Sequence, residues 1–249
     1  MITTLFIKVN LLFIFNSLFI IGKYFKMDIE YIIQTIIKKK EFRKLKSVKE
    51  NNPWHDHESV YDHSIKTMKI AKKEVKGKFI TNHKAKELYF HFINKHIDGI
   101  KRADVMVLIA LLHDIGKALS YKEGGQILPV VTTHKNGLTT APGHQYYGST
   151  LVEDLLTPLG FSPKLIFYIA KIITLHDTFN DYYFTSKIDW DFTEIISDVK
   201  AQSEGLYIET LFNIYCDNYT AVASKLSRDF IIKLFNKPML YVERKYFLS

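Results

Sequence analysis

Residues 105–117 read VMVLIALLHDIGK, and this stretch predicts the central helix of the fold. The apolar run at residues 105–112 has no polar interruption and is typical of a helix that is buried on every side. His113 and Asp114 follow at the end of the run, just before the helix-weakening Gly116. An unpaired carboxylate would be costly to bury there. Either a cation bound by both side chains or a hydrogen-bonded His–Asp pair that closes the helix would remove that cost.

Further polar side chains fall on the apolar faces or at the starts of predicted helices: His63, His144, His176 and Asp217. A single histidine in such a position is commonly a satisfied core or rim residue. Asp217 is different, because a carboxylate on an inward helix face needs a partner. His144 begins a helix after Gly143, and Gly148 leaves room for a close approach. Several helices that each present one inward ligand are typical of a helical-bundle metal site.

Apolar residues recur at three- and four-residue spacing along most of the chain, which predicts an all-α helical bundle. Asn136 and Gly137 lie between β-forming residues and predict a small β-hairpin insertion near residues 126–140. We expect one domain at residues 27–249, preceded by an apolar segment at residues 1–26. The helices are expected at residues 27–40, 59–76, 84–97, 103–119, 144–156, 163–176, 192–202 and 206–224.

The candidate ligands together resemble those of the HD-domain metal-dependent phosphohydrolases. That family has a His, then an adjacent His–Asp pair, then a distant Asp. The matching positions are His63 in VYDHSIKTM, His113 and Asp114 in ALLHDIGK, and Asp217 in NIYCDNYTAVA. Many members add two histidines between the pair and the last Asp, which His144 and His176 match. The resemblance covers about residues 52–224 and implies an HD-type bundle that binds one or two divalent metal ions.

Within this family the chain particularly resembles the HD domain attached to some tRNA nucleotidyltransferases. The similar strings are NNPWHDHESVYDHS, the hairpin after HDIGK, and PGHQYYGSTLVEDLL. Asp189 and Asp191 are not preceded by the Gly-Ser element that accompanies the paired carboxylates of a nucleotidyltransferase head. We therefore expect the hydrolase module without that head, and nucleotide addition to tRNA is not implied.

The resemblance also implies roles for individual residues. Asp114 is expected to be a catalytic residue as well as a metal ligand. Lys117, one helical turn beyond His113, is expected to act in catalysis and to bind a substrate phosphate oxygen. A lysine that complements the helix dipole is the alternative. His144 is a second candidate for substrate binding, besides being a metal ligand.

Three nearby polar residues receive no role as ligands. Asp177 follows His176 and is a candidate general base, although an Asp in the turn that ends a helix explains it better. His55 and His57 precede the first ligand helix, where they either line the entrance or cap that helix.

The resemblance implies a divalent cofactor and a phosphoester substrate. Sites built from His and Asp accept Mn, Mg, Fe, Ni, Co or Zn. The expected partner is a phosphorylated small molecule or a nucleotide, with a nucleic-acid end or RNA as a further option. The alternative is a non-catalytic phosphate- or RNA-binding HD module. All the core ligand positions are present, which favours catalysis.

The net charge and the cysteine content indicate which ligands and which metal sites the protein can have. The formal net charge of +8 is compatible with a phosphorylated substrate. The densest basic run lies at residues 38–49, where a solvated lysine-rich face and a nucleic-acid surface both remain open. Cys216 is the only cysteine, which excludes an intramolecular disulfide and a thiolate-rich metal site and fits a cytoplasmic setting.

The amino-terminal residues 3–21 are strongly apolar and nearly long enough to span a bilayer, but they include Lys8, Asn10 and Asn16. Three interpretations compete: a weak membrane anchor, an uncleaved signal-like segment, and sequence upstream of the true start. Met27 opens a normal-looking first helix. We therefore expect Met27 to be the functional start or residues 1–26 to be a dispensable anchor.

Overall fold

The computed structural model describes residues 28–219, 221 and 224–242, so the segment predicted at residues 1–26 lies outside the described residues. Helices dominate this part of the chain, which confirms the predicted all-α class. They are α1 Ile29–Lys38, α2 Lys40–Arg43, α3 Val60–Glu74, α4 His83–Ile93, α5 Arg102–Leu112, α6 His144–Leu156, α7 Pro163–Leu175, α8 Asp181–Thr185, α9 Phe192–Gln202, α10 Tyr207–Asp217 and α11 Lys225–Phe235. Short 3₁₀ helices occupy Lys44–Ser47, Ile115–Ala118, Thr157–Leu159 and Pro238–Tyr241. None of the described helices combines the length and the apolar character needed to cross a membrane.

Helix α5 lies at the centre of the core. Each side chain of residues 105–112 is at most 5% exposed. Helices α3, α7 and α10 pack against it through apolar faces that include Ile169 and Leu211. Burying a Leu or Ile side chain contributes about 1.5–3 kcal/mol. The apolar run therefore fixes α5 in the interior and carries the residues at its C-terminal end inward.

Local sequence signals set where the surrounding helices begin. Ser59 and Ser162 precede α3 and α7, and each side chain accepts a hydrogen bond from a backbone N–H of the first helical turn. Such N-caps contribute about 1 kcal/mol each. Gly143 precedes α6 with φ at 74°, a left-handed conformation that favours glycine. These boundaries place His63 in the first turn of α3 and His144 at the first position of α6.

The described strands form two-stranded antiparallel hairpins: β1 Lys49–Asn52 with β2 His55–Ser59, β3 His96–Ile97 with β4 Ile100–Lys101, β5 Ser120–Glu123 with β6 Gln126–Pro129, and β7 Thr132–Thr133 with β8 Thr139–Thr140. The predicted hairpin around Asn136 and Gly137 is the pair β7–β8. Strand β6 instead pairs with β5 around Gly124 and Gly125. The insertion is attached to β1, because the Asn51 backbone N–H donates to Thr139 Oγ1 at 2.9 Å.

Several predicted boundaries differ from the structure. The helices predicted at residues 144–156 and 192–202 have the predicted bounds. The helix predicted at residues 103–119 ends at Leu112, because Asp114 leaves the helical conformation with φ at −100° and ψ at 8°. The helix predicted at residues 206–224 ends at Asp217. The hairpin β1–β2 was not predicted, since its strands are polar and poor in β-branched residues.

Candidate metal centre

The side chains that the sequence nominated as ligands meet at the C-terminal end of α5. His113 is the C-cap of that helix, and Asp114 begins the following turn. The others come from the helices packed around α5: His63 from α3, His144 from the first position of α6, His176 from the C-cap of α7, and Asp217 from the last position of α10. The structure thus brings all the predicted ligands to one place.

One set of these residues, which we call the Asp217 group, consists of His63, His113, Asp114 and Asp217. Asp217 Oδ1 lies 2.7 Å from His63 Nε2 and 3.3 Å from His113 Nε2. Asp114 Oδ2 lies 3.3 Å from His113 Nε2 and 3.8 Å from His63 Nε2. Each of the two imidazole Nε2 atoms therefore lies within 3.8 Å of an oxygen of each carboxylate.

A second set, the Asp177 group, consists of Asp114, His144, His176 and Asp177. Asp114 Oδ1 lies 3.1 Å from His144 Nε2 and 3.7 Å from His176 Nε2. Asp177 contributes oxygens at 3.5 Å from His144 Nε2 and 3.4 Å from His176 Nε2. Asp114 thus belongs to both groups, with one carboxylate oxygen directed to each.

The orientation of the imidazole rings is set by the backbone. The Nδ1 atoms of His113, His144 and His176 lie 3.0, 2.7 and 2.6 Å from the carbonyl oxygens of Ala110, Ala141 and Ile173. A carbonyl only accepts, so each Nδ1 carries the hydrogen and donates. In the neutral ring, each Nε2 then presents a lone pair to the site, as a metal-binding histidine does.

These lone pairs provide a test of whether the residues fit a metal ion. The Nε2 atoms of His144 and His176 are 3.0 Å apart, a distance at which two lone pairs repel unless a cation or a proton lies between them. His113 Nε2 is completely buried and makes no hydrogen bond to any described residue. The ligand atoms of His63, His113 and Asp114 lie within 4.8 Å of one another, as do those of Asp114, His144 and His176, and each set fits a divalent cation.

The charges of the site are strongly coupled. Burial opposes ionisation of Asp114, but His113 and Lys117 hold its pKa well below the usual value. Burial also disfavours charging of His63, yet the hydrogen bond to Asp217 and the nearby carboxylate of Glu58 outweigh it and raise the pKa of His63 to about 9. Asp217 also has a pKa well below the usual value, so it and Asp114 are ionised at neutral pH, and protons on the imidazoles compete with a metal ion for the same lone pairs.

The side chains of the site differ in their exposure to solvent. The side chains of Asp114, His113 and His176 are 3%, 0% and 1% exposed. By contrast, the side chains of Asp217 and Asp177 are 24% and 49% exposed. These two carboxylates mark where water and a substrate reach the buried imidazoles.

The family model described as HD domain matches residues 60–183. This chain contains an HD domain. The match confirms the predicted superfamily, and the matched residues include His63, His113, Asp114, His144 and His176. Asp217 lies beyond the matched segment and completes the site from α10. No curated protein matches the chain.

Two glycines allow the parts of the HD domain to come together. A Cβ atom on Gly116 would lie 2.0 Å from the His144 carbonyl oxygen and 2.4 Å from the Gly148 backbone nitrogen. The small size of Gly148 predicted that another segment packs closely against it. That segment is the 3₁₀ helix Ile115–Ala118, which follows Asp114. The backbones therefore touch here, which places His144 against Asp114.

Lys117 lies inside the HD domain rather than at its surface, with a side chain that is 7% exposed. Its Nζ donates to Glu50 Oε2 and to Asp114 Oδ2, both at 2.9 Å. Burial disfavours its charge, but these carboxylates raise the pKa of Lys117 above its usual value. The lysine thus orients one oxygen of Asp114, while its predicted contact with a substrate phosphate stays a prediction.

Glu50 and Glu58 were not predicted from the sequence, and His55 was given no ligand role. Glu58 Oε2 lies 3.7 Å from His63 Nδ1, on the side of the ring opposite the site. The His55 ring packs edge-on to that of His63, with centroids 4.5 Å apart. Glu58 and His55 contact His63 and hold its ring orientation, as outer partners of metal ligands do, whereas Glu50 contacts Lys117. No local motif signals them, because they lie on the polar hairpin β1–β2.

Proposed function

We propose that this HD domain is a divalent-metal-dependent phosphohydrolase that acts on a phosphomonoester or phosphodiester, such as a nucleotide or a nucleic-acid end. The observation that carries the proposal is the opposition of the His144 and His176 lone pairs beside the carboxylate of Asp114. Packing alone leaves the repulsion between these lone pairs uncompensated, whereas a cation bound by His144, His176 and Asp114 removes it.

The residues of the site would have separate roles in this reaction. Bound cations would lower the pKa of a water molecule and polarise the phosphorus centre. Asp114 would keep the two ligand groups at a fixed separation through its two oxygens. Asp177, exposed at the opening, would accept the proton of the attacking water. Lys117 would hold the Asp114 carboxylate in place and, as the sequence predicts, approach a phosphate oxygen.

The test measures bound metal and hydrolysis in the same preparations. The parent chain and an Asp114→Ala variant are incubated with Mn, Ni or Fe, and bound metal per chain is determined after desalting. Asp154→Ala is the matched control, because Asp154 is an exposed residue of α6 outside both groups. We expect bound metal in the parent and in Asp154→Ala, and little in Asp114→Ala. Metal-dependent hydrolysis of p-nitrophenyl phosphate or its bis ester should likewise be present in the parent and Asp154→Ala and nearly absent in Asp114→Ala.

A folded parent that retains no metal after these incubations contradicts the catalytic proposal. The alternative function, a non-catalytic phosphate- or RNA-binding HD module, would then lead. It is favoured by one observation, a surface depression lined by basic side chains. Metal binding without hydrolysis of either ester would also support that alternative.

We further propose a relationship to the HD domain of some tRNA nucleotidyltransferases, which is supported by the strings around His63 and His144. Cytoplasmic location is proposed from the single cysteine, and a membrane-anchored form is the alternative if residues 1–26 act as an anchor. Expression with and without those residues, followed by fractionation, separates these two locations.

A further inference from the structure

A basic depression lies on the surface formed by α1, α2 and the 3₁₀ helix Lys44–Ser47. It has a volume of about 400 Å³, and its lining consists of Lys38, Lys40, Arg43, Lys44 and Lys46. All five side chains are exposed. Within the described part of the chain, none of them lies within ion-pair distance of a carboxylate, in contrast to Lys72 and Lys171, whose ammonium groups contact Glu30 and Glu204.

The elements that carry the depression pack against a segment that contributes to the candidate site. Helix α2 and the 3₁₀ helix Lys44–Ser47 pack against the 3₁₀ helix Ile115–Ala118, which carries Lys117. Lys46 Nζ lies 4.6 Å from the ring centroid of Tyr61, two residues before His63 in α3. The chain then continues into β1, where Glu50 contacts Lys117. The elements that carry the basic side chains therefore contact the 3₁₀ helix that bears Lys117.

An exposed aromatic residue lies in the hairpin that follows the basic segment. Trp54 is 52% exposed in the turn between β1 and β2, and β2 packs against the 3₁₀ helix Lys44–Ser47. The next residue, His55, contacts the His63 ring. An exposed indole offers a face on which a nucleobase can stack.

One phosphate group cannot engage five cations at once, whereas a chain of phosphates can. We propose that Lys38, Lys40, Arg43, Lys44 and Lys46 bind the backbone of a single-stranded polynucleotide, that Trp54 stacks on one of its bases, and that an ester of the same strand enters the metal centre. This proposal rests on the proposed phosphohydrolase function for its last part only. Repeating phosphates account for the basic surface, and bases account for the exposed indole.

The test of binding uses the full chain, EDTA and a fluorescein-labelled single-stranded oligonucleotide, with affinity measured by fluorescence anisotropy at several salt concentrations. Five phosphate contacts predict a slope of log affinity against log salt of about −3.5. Arg43→Glu with Lys44→Glu should weaken that slope by about 1.4 and lower the affinity at least about tenfold. Trp54→Ala should lower the affinity about tenfold for the oligonucleotide but not for inorganic polyphosphate.

The matched control reverses two exposed lysines on other helices, Lys164→Glu with Lys225→Glu, and changes the net charge by the same amount. Equal losses in the two double variants overturn the proposal, because only net charge would matter. Failure of the parent to bind at 50 mM salt also overturns it. Undiminished oligonucleotide binding by Trp54→Ala, together with binding to vesicles that contain phosphatidylserine, overturns it in favour of a lipid surface.

Hydrolysis separates this proposal from the phosphohydrolase proposal. With metal present, Arg43→Glu with Lys44→Glu should retain the parent's rate on bis-p-nitrophenyl phosphate and lose activity on an oligonucleotide. Loss of activity on both substrates overturns a role confined to strand binding. A parent that binds the oligonucleotide in EDTA but hydrolyses neither substrate contradicts the phosphohydrolase proposal and leaves the binding surface supported.

Discussion

Replacing Gly116 with alanine would force apart the two backbones that build the Asp177 group. The added Cβ would lie 2.0 Å from the His144 carbonyl oxygen, whereas ordinary contact begins at 3.4 Å. Both atoms belong to backbone or are fixed to it, so α6 has to move by roughly 1.4 Å, the difference between these distances. His144 Nε2 now lies 3.1 Å from Asp114 Oδ1, and a shift of that size moves it out of reach of a cation that Asp114 also binds.

We expect two measurable effects of Gly116→Ala. Overpacking against backbone should lower the free energy of unfolding by about 3 kcal/mol, which corresponds to a melting temperature lower by about 6–12 °C for a chain of this size. Metal content should fall by one ion per chain relative to the parent, because His63, His113 and Asp217 stay in place. Circular dichroism at 222 nm measures the melting temperature, and elemental analysis after desalting measures the metal.

Gly148→Ala is the matched control. Its Cβ would lie 3.2 Å from the Gly116 backbone nitrogen and 3.4 Å from Ile173 Cγ2, which a displacement of a few tenths of an ångström relieves. It should lower the melting temperature less and keep the parent's metal content. A Gly116→Ala protein with the parent's melting temperature and metal content would refute the argument that backbone contact positions His144. If Gly116→Ala fails to fold while Gly148→Ala is stable, the backbone contact at Gly116 is confirmed. The metal content is then measured on Gly148→Val instead.

Three further outcomes follow from the surroundings of His63 and Lys117. Glu58→Gln should lower metal affinity about 10- to 100-fold, as loss of an outer partner does; competition with a chelating dye measures this, and an unchanged affinity contradicts the role. Because the pKa of His63 is raised to about 9 in the folded protein, this imidazole stabilises the metal-free fold below pH 6.5, and that stability is lost as the pH rises through 9. Metal affinity should therefore increase up to about tenfold per pH unit towards pH 9, and a pH-independent affinity excludes proton competition. Glu50→Gln should lower the free energy of unfolding by about 2 kcal/mol, since the buried Lys117 loses a charged partner; urea unfolding at pH 7 checks this, and an unchanged midpoint contradicts it.

The residues that the sequence identified share one property, a conflict between a polar side chain and an apolar helix face. His113 and Asp114 end a fully apolar run, and Asp217 continues an apolar stripe, so each needs an inward partner. This conflict is local and is visible without a structure. The apolar spacing predicted the helices and the bundle, and this conflict, together with the family resemblance, indicated the side chains that meet at the end of α5.

The residues that were missed depend on contacts between distant parts of the chain. Glu50 precedes its partner Lys117 by 67 positions and lies on a strand whose sequence has no β-forming pattern. Asp177 was explained as a turn residue, yet its carboxylate lies 3.5 Å from His144 Nε2. Spacing gives the face of a helix on which a residue lies, but it gives no direction for a side chain beyond the last turn.

The bond between His63 and Asp217 joins residues that are 154 positions apart. A cation shared by them would act as a cross-link around a long loop, as a disulfide does in a secreted protein. The only cysteine, Cys216, is adjacent to Asp217 and has no partner with which to form such a bridge. Coordination would therefore supply a long-range tie that a chelator can open and added metal can close again. The lifetime of the folded chain would then follow the supply of metal ions in its surroundings, independently of any substrate.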